Sequence, residues 1–493
     1  MGRKRSCVGQ SMKRAVGVAV AGVMVGLSAA PAQTTDVLLR LSEPGTIFSA
    51  RALGMGNAYS TIGYDFSGTR FNPATMAVLD SATFAMSVNF LASPNSAAYR
   101  DAVTPFTTTS TSLGQFGMTF PLHLGQRRSV FALGFSQSKD FNRNTKFDAY
   151  NSSTSSLIQD LTSLGSPLAA SLAVNYPVVD PVTGQTLGRE TVINGNLQQS
   201  GFILQSGNFL QISTGGSFEM MPNVFVGVSV SYNTGSYLAD REFTETDAQN
   251  VYDASVRTVP NDPTTADFQS MYVHDVRDIV VKGWDFKFGA LYKWENFISI
   301  GGSFLVPTNH SVSEIQSVGG KSVFAAGTRE VRGVEREVVY SVTPAYNATL
   351  GAAVNLWFLT ATAEATFIDY TTMKFRRGFA LDEVGLRNKE ITGEFRRVLN
   401  LNGGAELRLP FTGLIARAGF QYRPSPYKGD EGVNDRKSIT LGFGVNSGGR
   451  LAFDIAYGYA WWDEVYRGYG TTFAGVVQQL ESHDIMTTIK LSF

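Results

Sequence analysis

The sequence predicts an all-β protein: a transmembrane antiparallel β-barrel of about fourteen strands with an N-terminal hatch, or plug, in its lumen. Three observations predict this fold. No run after the first 32 residues approaches the length of a membrane helix, side chains alternate with a period of two from residue 83 to residue 493, and the connections alternate between short and long. In hydrocarbon every backbone N–H and C=O must be paired, and without apolar helices only a closed barrel achieves this.

The composition agrees with a barrel better than with soluble domains. Charged residues make up 17% of the chain and glycine contributes 50 residues, whereas soluble proteins carry about 25% charged residues. The 41 basic residues are balanced by 41 acidic ones. Because no basic excess is available to neutralise phosphates, binding to nucleic acid is not expected.

Residues 1–32 are predicted to form a cleavable signal peptide. Positive charges precede an apolar stretch from Ala15 to Leu27, and Ala30-Pro31-Ala32 matches an A-x-A cleavage site. The alternative, a membrane anchor, would need about 20 apolar residues. The sole cysteine, Cys7, lies inside this segment, so the mature chain would have no disulfide and no thiolate metal site. We therefore expect export to the cell outer membrane.

Residues 82–493 are predicted to form the barrel. In 451–461, for example, large apolar side chains alternate with small or polar ones, which is typical of a strand that faces lipid on one side. Fourteen strands are predicted, at 82–92, 112–122, 129–138, 208–219, 223–236, 278–294, 296–307, 339–356, 359–373, 391–409, 412–423, 437–446, 450–462 and 483–493.

The connections sort by length in strict alternation, with long ones such as 93–111 and 139–207 between short ones. Short periplasmic turns and long extracellular loops follow this order in outer-membrane barrels, whereas a soluble sandwich or propeller has no reason for it. The chain ends on Phe493 in an alternating strand, which resembles the terminal strand that such proteins present to the barrel insertion machinery.

Residues 33–81 do not alternate and are predicted to form the hatch. Gly54 and Gly56 permit close approach of the backbone, and Asn72-Pro73-Ala74 predicts a turn. A barrel of fourteen strands is too wide for its wall side chains alone to fill, so the lumen needs such a plug.

The segment ARALGMGNAYSTIGYDFSGTRFNPATMAVL resembles the N-terminal hatch of the FadL/TodX family of outer-membrane transport proteins, and its Asn72-Pro73-Ala74 matches the family's motif. The part Ala50–Ala58 also resembles the PorV branch, which serves protein secretion. The segment 423–437 is similar to a late-barrel region of the family. The resemblance implies a monomeric barrel that passes hydrophobic molecules through a lumenal site and releases them sideways at a kink in the third strand. In that strand, 129–138, Gly134 is the only residue expected to ease a kink.

Two sets of residues are candidates for ligand binding. Arg396, Arg408 and Arg417 are expected in the lumen, where they could hold a carboxylate head group, although ion pairs across the barrel are the alternative. Leu157, Leu161 and Leu164 recur at helical spacing in the long loop 139–207. They could form a surface groove that captures an apolar ligand, or a cap that packs on its neighbours.

No catalytic residue, metal site or cofactor is expected, because the sequence carries no nucleophile elbow, no zinc-protease motif and no paired cysteines. The predicted function is passive uptake of a hydrophobic small molecule through a hatch-gated lumen, with outer-membrane lipid and lipopolysaccharide as surroundings. The alternative is a PorV-like barrel that binds secreted client proteins at the cell surface.

Overall fold

The computed structural model describes residues 32–45, 48–124, 127–447, 449–466 and 475–493. All but the last residue of the predicted signal peptide lies outside these ranges, so its cleavage stays a prediction. Fourteen long strands form one sheet: β1 (Thr83–Tyr99), β2 (Ala102–Leu124), β3 (Arg127–Asp140), β4 (Leu197–Met221), β5 (Val224–Thr246), β6 (Phe268–Trp294), β7 (Ile298–Pro307), β8 (Tyr346–Leu356), β9 (Leu359–Asp369), β10 (Arg397–Arg408), β11 (Leu414–Arg423), β12 (Arg436–Ser447), β13 (Leu451–Tyr466) and β14 (Val476–Ser492).

The sheet closes on itself. Each strand pairs antiparallel with the next. β1 pairs with β2 on one side and with β14 on the other, from Thr83↔Ser492 to Ala98↔Val477. The predicted fourteen-stranded barrel is therefore confirmed, and closure leaves no free edge in the membrane. Among the described residues, no helix is long and apolar enough to cross a membrane.

Alternation along each strand separates a lipid-facing surface from the lumen. In β13, Phe453 and Ile455 are exposed on the outer face, whereas Asp454 and Ala456 are buried inside. Tyr232 and Trp284 pack side by side on the outer face with their ring centroids 4.9 Å apart, as in an interfacial aromatic girdle. Trp462 contacts the guanidinium of Arg436 at 4.4 Å, because its parity along β13 places it on the lumenal face.

Strand lengths depart from the prediction at the end of the barrel that carries the long connections, hereafter the long-loop end. The predicted loop 93–111 is a continuation of β1 and β2, which meet at the two-residue turn Arg100-Asp101. Its threonine-rich sequence has β propensity but no apolar alternation, because both faces of this hairpin lie beyond the lipid. The predicted strand 339–356 is interrupted at Pro344, and the predicted strand 391–409 begins only at Arg397.

The remaining elements lie in the lumen or at the long-loop end. The helices are α1 (Ala32–Ser42), α2 (Ala50–Gly54), α3 (Gly68–Phe71), α4 (Leu157–Ser163), α5 (Pro167–Ser171) and α6 (Leu381–Glu394), with 3-10 turns at Pro73–Val78, Pro263–Thr265 and Tyr370–Thr372. The shorter strands are Arg143–Asn151, Tyr176–Val179, Thr186–Glu190, His310–Phe324, Gly327–Val331, Arg336–Thr343 and Lys374–Arg377.

Candidate functional site

The segment 48–79 crosses the lumen near the end that carries the short turns, hereafter the short-turn end. Its helix α2 packs against β11 to β14, and its 3-10 turn Pro73–Val78 packs against β4, β5 and β6 on another part of the wall. Ser49 caps α2 by accepting a hydrogen bond from the Ala52 N–H at 3.2 Å. The plug therefore bridges the barrel from one side to the other.

The plug approaches the wall so closely that glycine is required at the contacts. Gly56 has φ +60°, a left-handed conformation that favours glycine. A Cβ on the wall residue Gly419 would overlap the Gly56 backbone, and one on Gly289 would overlap the Asn72 side chain. The backbone of the plug thus lies directly on the backbone of the wall.

Asn72 joins the plug to itself and to the barrel. Its side chain is fully buried; Nδ2 donates to the carbonyls of Ser60 and Ala290, each at 2.9 Å, and Oδ1 accepts from the Ala74 N–H at 3.1 Å. Pro73 follows at the first position of the 3-10 turn, and Asn72 itself is extended at φ −154°, as a residue before proline should be. The motif thus positions the turn against β6.

We expect Asn72→Ala to loosen the plug without preventing barrel assembly, because strand pairing does not involve this residue. The substitution leaves the Ser60 and Ala290 carbonyls and the Ala74 N–H without this partner, a cost of about 1–3 kcal/mol for each buried group. Flickering conductance in planar bilayers should appear, with the exposed loop variant Gln249→Ala as control. If the variant shows no more flickering conductance than the parent, Asn72 does not hold the plug in place.

A buried cluster of charges connects the plug to the wall. Glu406 accepts hydrogen bonds from Arg51 of the plug at 2.8 Å, from Arg417 at 2.8 Å and from Arg408 at 2.8 Å, and Arg417 also contacts Asp454 at 2.6 Å. Arg408 and Arg417 are thus engaged by carboxylates of the protein itself. This arrangement favours the alternative interpretation of these two arginines, ion pairing inside the barrel, over a head-group site.

Arg396 lies elsewhere. It precedes β10 at the long-loop end, and its Nε donates to the Ser425 carbonyl at 2.9 Å. It lines a pocket together with Leu399, a side chain that the strand exposes on its outer face. Arg396 thus lies at the rim of the barrel, one residue before β10 begins, and its role in ligand binding stays a prediction.

Backbone amides of the plug contact a second wall carboxylate. Glu364 of β9 accepts from the N–H groups of Tyr59 and Ser60 at 3.1 and 2.9 Å. Burial raises the pKa of the Tyr59 phenol, so this hydroxyl stays protonated. Burial lowers the pKa of the Arg70 guanidinium. These contacts add polar anchors to a plug that already touches the wall through glycines.

The long-loop half of the lumen holds an apolar compartment, and α1 occupies it. Val37, Leu38 and Leu39 are buried against side chains of the wall and of α6. The wall and loop residues that contact this face of α1 or extend the compartment are Phe209, Tyr237, Ile279, Val281, Val312, Tyr340, Val342, Ile368, Tyr370, Phe375, Ile391, Phe395 and Val398.

Polar contacts also hold α1 in place. Lys139 of β3 donates to the carbonyls of Arg40 and of Leu41, the latter at 3.0 Å, which satisfies acceptors at the end of the helix. The Arg40 guanidinium stacks over the Tyr237 ring at 4.8 Å. At the same end, the Ser42 hydroxyl accepts from the Ala345 N–H at 2.9 Å. α1 is thus held by apolar packing together with polar contacts at both ends, which include a hydrogen bond from the Thr35 hydroxyl to Glu394 at 3.5 Å.

Two lumenal arginines face each other beside this compartment. Arg423 of β11 pairs directly across the sheet with Arg436 of β12, an arrangement that like charges disfavour. Among the described residues, no carboxylate oxygen lies within 4.0 Å of either guanidinium. Arg423 donates to the Gln421 side chain at 2.9 Å, and a small cavity opens between the two arginines and Asp484. Asp484 and Glu43 interact electrostatically with both arginines, so two carboxylates balance the two guanidinium charges at longer range.

The arginine pair borders the apolar compartment. Tyr370, a residue of the compartment, interacts electrostatically with Arg423. Arg423 was not among the arginines that the sequence singled out as ligand residues. The signal is that the two arginines lie opposite each other, and alternation within one strand does not specify the register between neighbouring strands.

The leucines of the long loop form a cap. Leu157 is buried in an apolar cluster that also includes Tyr99, Phe147, Phe243 and Phe324, and Leu161 packs against it, whereas Leu164 is exposed. The N–H groups of Leu157 and Ile158 donate to buried Glu245 at 2.8 and 3.3 Å. This packing favours the cap over an open groove for two of the three leucines.

The wall changes its pairing where β2 and β3 approach the long-loop end. Gly134 pairs on both sides, with Gly117 and Ser213, so the expected kink there is wrong. β3 instead bulges at Ser138, between Gln137 and Lys139. Its described ladder with β2 ends at Gln115↔Ser136, next to Gly114, the extra residue of a bulge in β2. Two adjacent bulges separate the strands at this level.

The barrel, its lumenal plug and its apolar compartment define a plugged transmembrane β-barrel. No protein-family model and no curated protein matches the sequence. The structure is similar to a FadL homologue from Pseudomonas aeruginosa, with 12% identity and a TM-score of 0.52 over 91% of this chain and 99% of that one. It is similar to the toluene transporter TodX from P. putida, with 12% identity and a TM-score of 0.53 over the same shares. At this identity the likeness establishes the fold.

Proposed function

We propose that this protein is an outer-membrane channel for the passive uptake of hydrophobic small molecules, and that its preferred ligand is a long amphiphile with an anionic head group, such as a long-chain fatty acid. The observation that carries the proposal is the opposed pair Arg423 and Arg436 at the border of an apolar lumenal compartment. The fold it shares with a toluene transporter and with a FadL homologue supports a channel rather than an enzyme.

The head group binds where no described carboxylate directly contacts the guanidinium groups, although Asp484 and Glu43 act on them at longer range. Guanidinium groups form short, charge-assisted and often bidentate hydrogen bonds with carboxylates. Arg408 and Arg417 already make such bonds with Glu406, so a ligand would have to compete with them. Arg423 and Arg436 have no such partner among the described residues. A ligand carboxylate would remove the repulsion between them.

The tail binds in the compartment that α1 fills, so ligand and α1 exchange places. Burial of Val37, Leu38 and Leu39 stabilises the occupied state by roughly 1.5–3 kcal/mol for each side chain. At about 0.8 kcal/mol per methylene, an acyl chain of about ten methylenes offsets their loss, whereas a single aromatic ring does not. The comparison favours a long-chain ligand over a small hydrocarbon.

The hatch then closes the direct route to the short-turn end, and the ligand leaves sideways. The bulges at Gly114 and Ser138 border the region where β2 and β3 part. The Phe48 carbonyl, at the start of the plug, accepts a hydrogen bond from Ser87 of β1, close to this region. A lateral exit at this level would deliver an apolar molecule to the membrane rather than to water.

Binding by purified protein tests the proposal. In Arg423→Ala/Arg436→Ala we expect a long-chain carboxylate to bind at least about tenfold more weakly, since each charge-assisted bond contributes about 1.5–3 kcal/mol. The neutral alcohol of equal length should bind nearly as well to the variant as to the parent. Arg408→Ala, which removes an arginine at the short-turn end, is the matched control. Equal losses for acid and alcohol would contradict the head-group assignment.

The PorV-like role remains the second candidate, and one observation favours it. The strands Tyr176–Val179 and Thr186–Glu190 form a separate two-stranded sheet, with Val182 and Leu187 strongly exposed. Exposed apolar side chains on a projecting hairpin can contact a protein partner. Deleting the gene distinguishes the two functions. Loss of uptake of a hydrophobic compound supports the channel, and loss of secreted proteins from the cell surface supports the PorV-like role.

A further inference from the structure

We propose a second ligand site on the outer face of the barrel, one that binds the acylated and phosphorylated sugar head of an outer-leaflet glycolipid. The site is a pocket of about 370 Å³ at the long-loop end, formed between the start of β10 and the connection from β11 to β12. Leu399 and Tyr422 line it from the outer face of the barrel, so binding there does not depend on transport.

The floor of the pocket continues into the lipid-facing surface. Leu399 lines the pocket and is 48% exposed. Tyr422 lies beside it and pairs across the sheet with Leu401, which is exposed on the same outer face. Phe420 continues this apolar strip along β11. An acyl chain that follows the barrel wall therefore reaches the pocket without leaving an apolar surface.

Two arginines at the rim of the pocket can donate further hydrogen bonds. Arg397 is 68% exposed and uses its Nε for Asp369 at 2.8 Å, so its two terminal nitrogens face no described acceptor. Arg396 uses Nε for the Ser425 carbonyl, and its nearest carboxylate, Asp435, is 4.0 Å away. Both guanidinium groups line the pocket, Arg397 from the side of β9 and Arg396 from the side of β11, and a guanidinium group matches a phosphate in charge and geometry.

The opposite rim offers acceptors. Asp430, Glu431 and Asp435 line the pocket. Asp430 already accepts from the Ser425 hydroxyl, and Asp435 accepts from the Ser425 N–H and the Tyr422 hydroxyl. These carboxylates repel a compact phosphate but accept hydrogen bonds from hydroxyl groups. With the ring of Tyr422 beside them, donors, acceptors and an aromatic surface surround one pocket. This combination favours a sugar phosphate over the head group of a simple anionic phospholipid.

Native mass spectrometry of the purified full-length barrel tests the site, with hexa-acylated lipid A as probe and phosphatidylglycerol as comparison. We expect Arg396→Ala/Arg397→Ala to weaken lipid A binding at least about tenfold. The control Arg376→Ala/Arg377→Ala removes two neighbouring arginines at the same end but outside the pocket, and should bind as the parent does. Equal lipid A binding by all three proteins would overturn the proposal.

Glu431→Gln separates a sugar from a bare phosphate. The proposal predicts weaker lipid A binding, because a charged acceptor of hydroxyl hydrogen bonds is lost. A site for phosphate alone would bind more tightly once a negative charge is removed, and that result, or phosphatidylglycerol binding as tightly as lipid A, would overturn the assignment. Should the double arginine variant fail to assemble, Arg397→Lys and Glu431→Gln carry the test, because both keep size and polarity.

Discussion

Deleting residues 36–78 is expected to convert a barrel that conducts ions poorly into one with a steady conductance. The deletion removes the plug from the short-turn half of the lumen and α1 from the compartment in the long-loop half. Fourteen strands leave an aqueous lumen once nothing fills it. Strand pairing from β1 to β14 should survive, because no described ladder includes residues before Thr83. Single-channel recording in planar bilayers measures the change.

The matched control removes residues 36–42 alone. This variant empties the compartment but keeps the plug, so it should conduct as poorly as the parent while its ligand affinity changes. If the longer deletion assembles and stays closed, the apolar cap around Leu157 and Phe243 seals the barrel. That result would support the PorV-like role, in which the barrel binds secreted proteins at the cell surface. If it fails to assemble, residues 36–78 are needed to build the wall.

Glu406→Ala is expected to reduce the free energy of unfolding by about 3–5 kcal/mol, because removing one partner of a buried ion pair leaves an uncompensated charge. The Glu406 side chain is 1% exposed and contacts three arginines. Arg51 and Arg417 would remain buried without this carboxylate. Urea unfolding of the barrel in lipid vesicles, followed by tryptophan fluorescence, measures the difference.

Arg408→Ala is the control for this result. The Arg408 side chain is 52% exposed, so its ion pair with Glu406 is screened by water and should contribute less than about 1 kcal/mol. A loss for Arg408→Ala as large as that for Glu406→Ala would contradict the view that burial decides the effect. An unchanged stability in Glu406→Ala would show that the plug is held by its glycine contacts and by Asn72 alone.

The sequence by itself determined the barrel, its fourteen strands and the close approach of the plug. Alternation with a period of two, the lengths of connections and the glycines near Gly56 are local features, because each depends on residues within one strand or turn. The predicted strand boundaries were wrong where the chain extends beyond the lipid. There the hairpin around Arg100 and the break at Pro344 carry no apolar alternation that could mark them.

Only the tertiary structure decided which charges are paired and what fills the lumen. Arg51 and Glu406 are 355 residues apart in sequence, and parity can place both inside a barrel but cannot bring them together. The same holds for the opposed Arg423 and Arg436, and for α1, whose apolar side chains meet strands from β4 to β10. Register and barrel closure set these contacts, because they depend on pairing between distant strands.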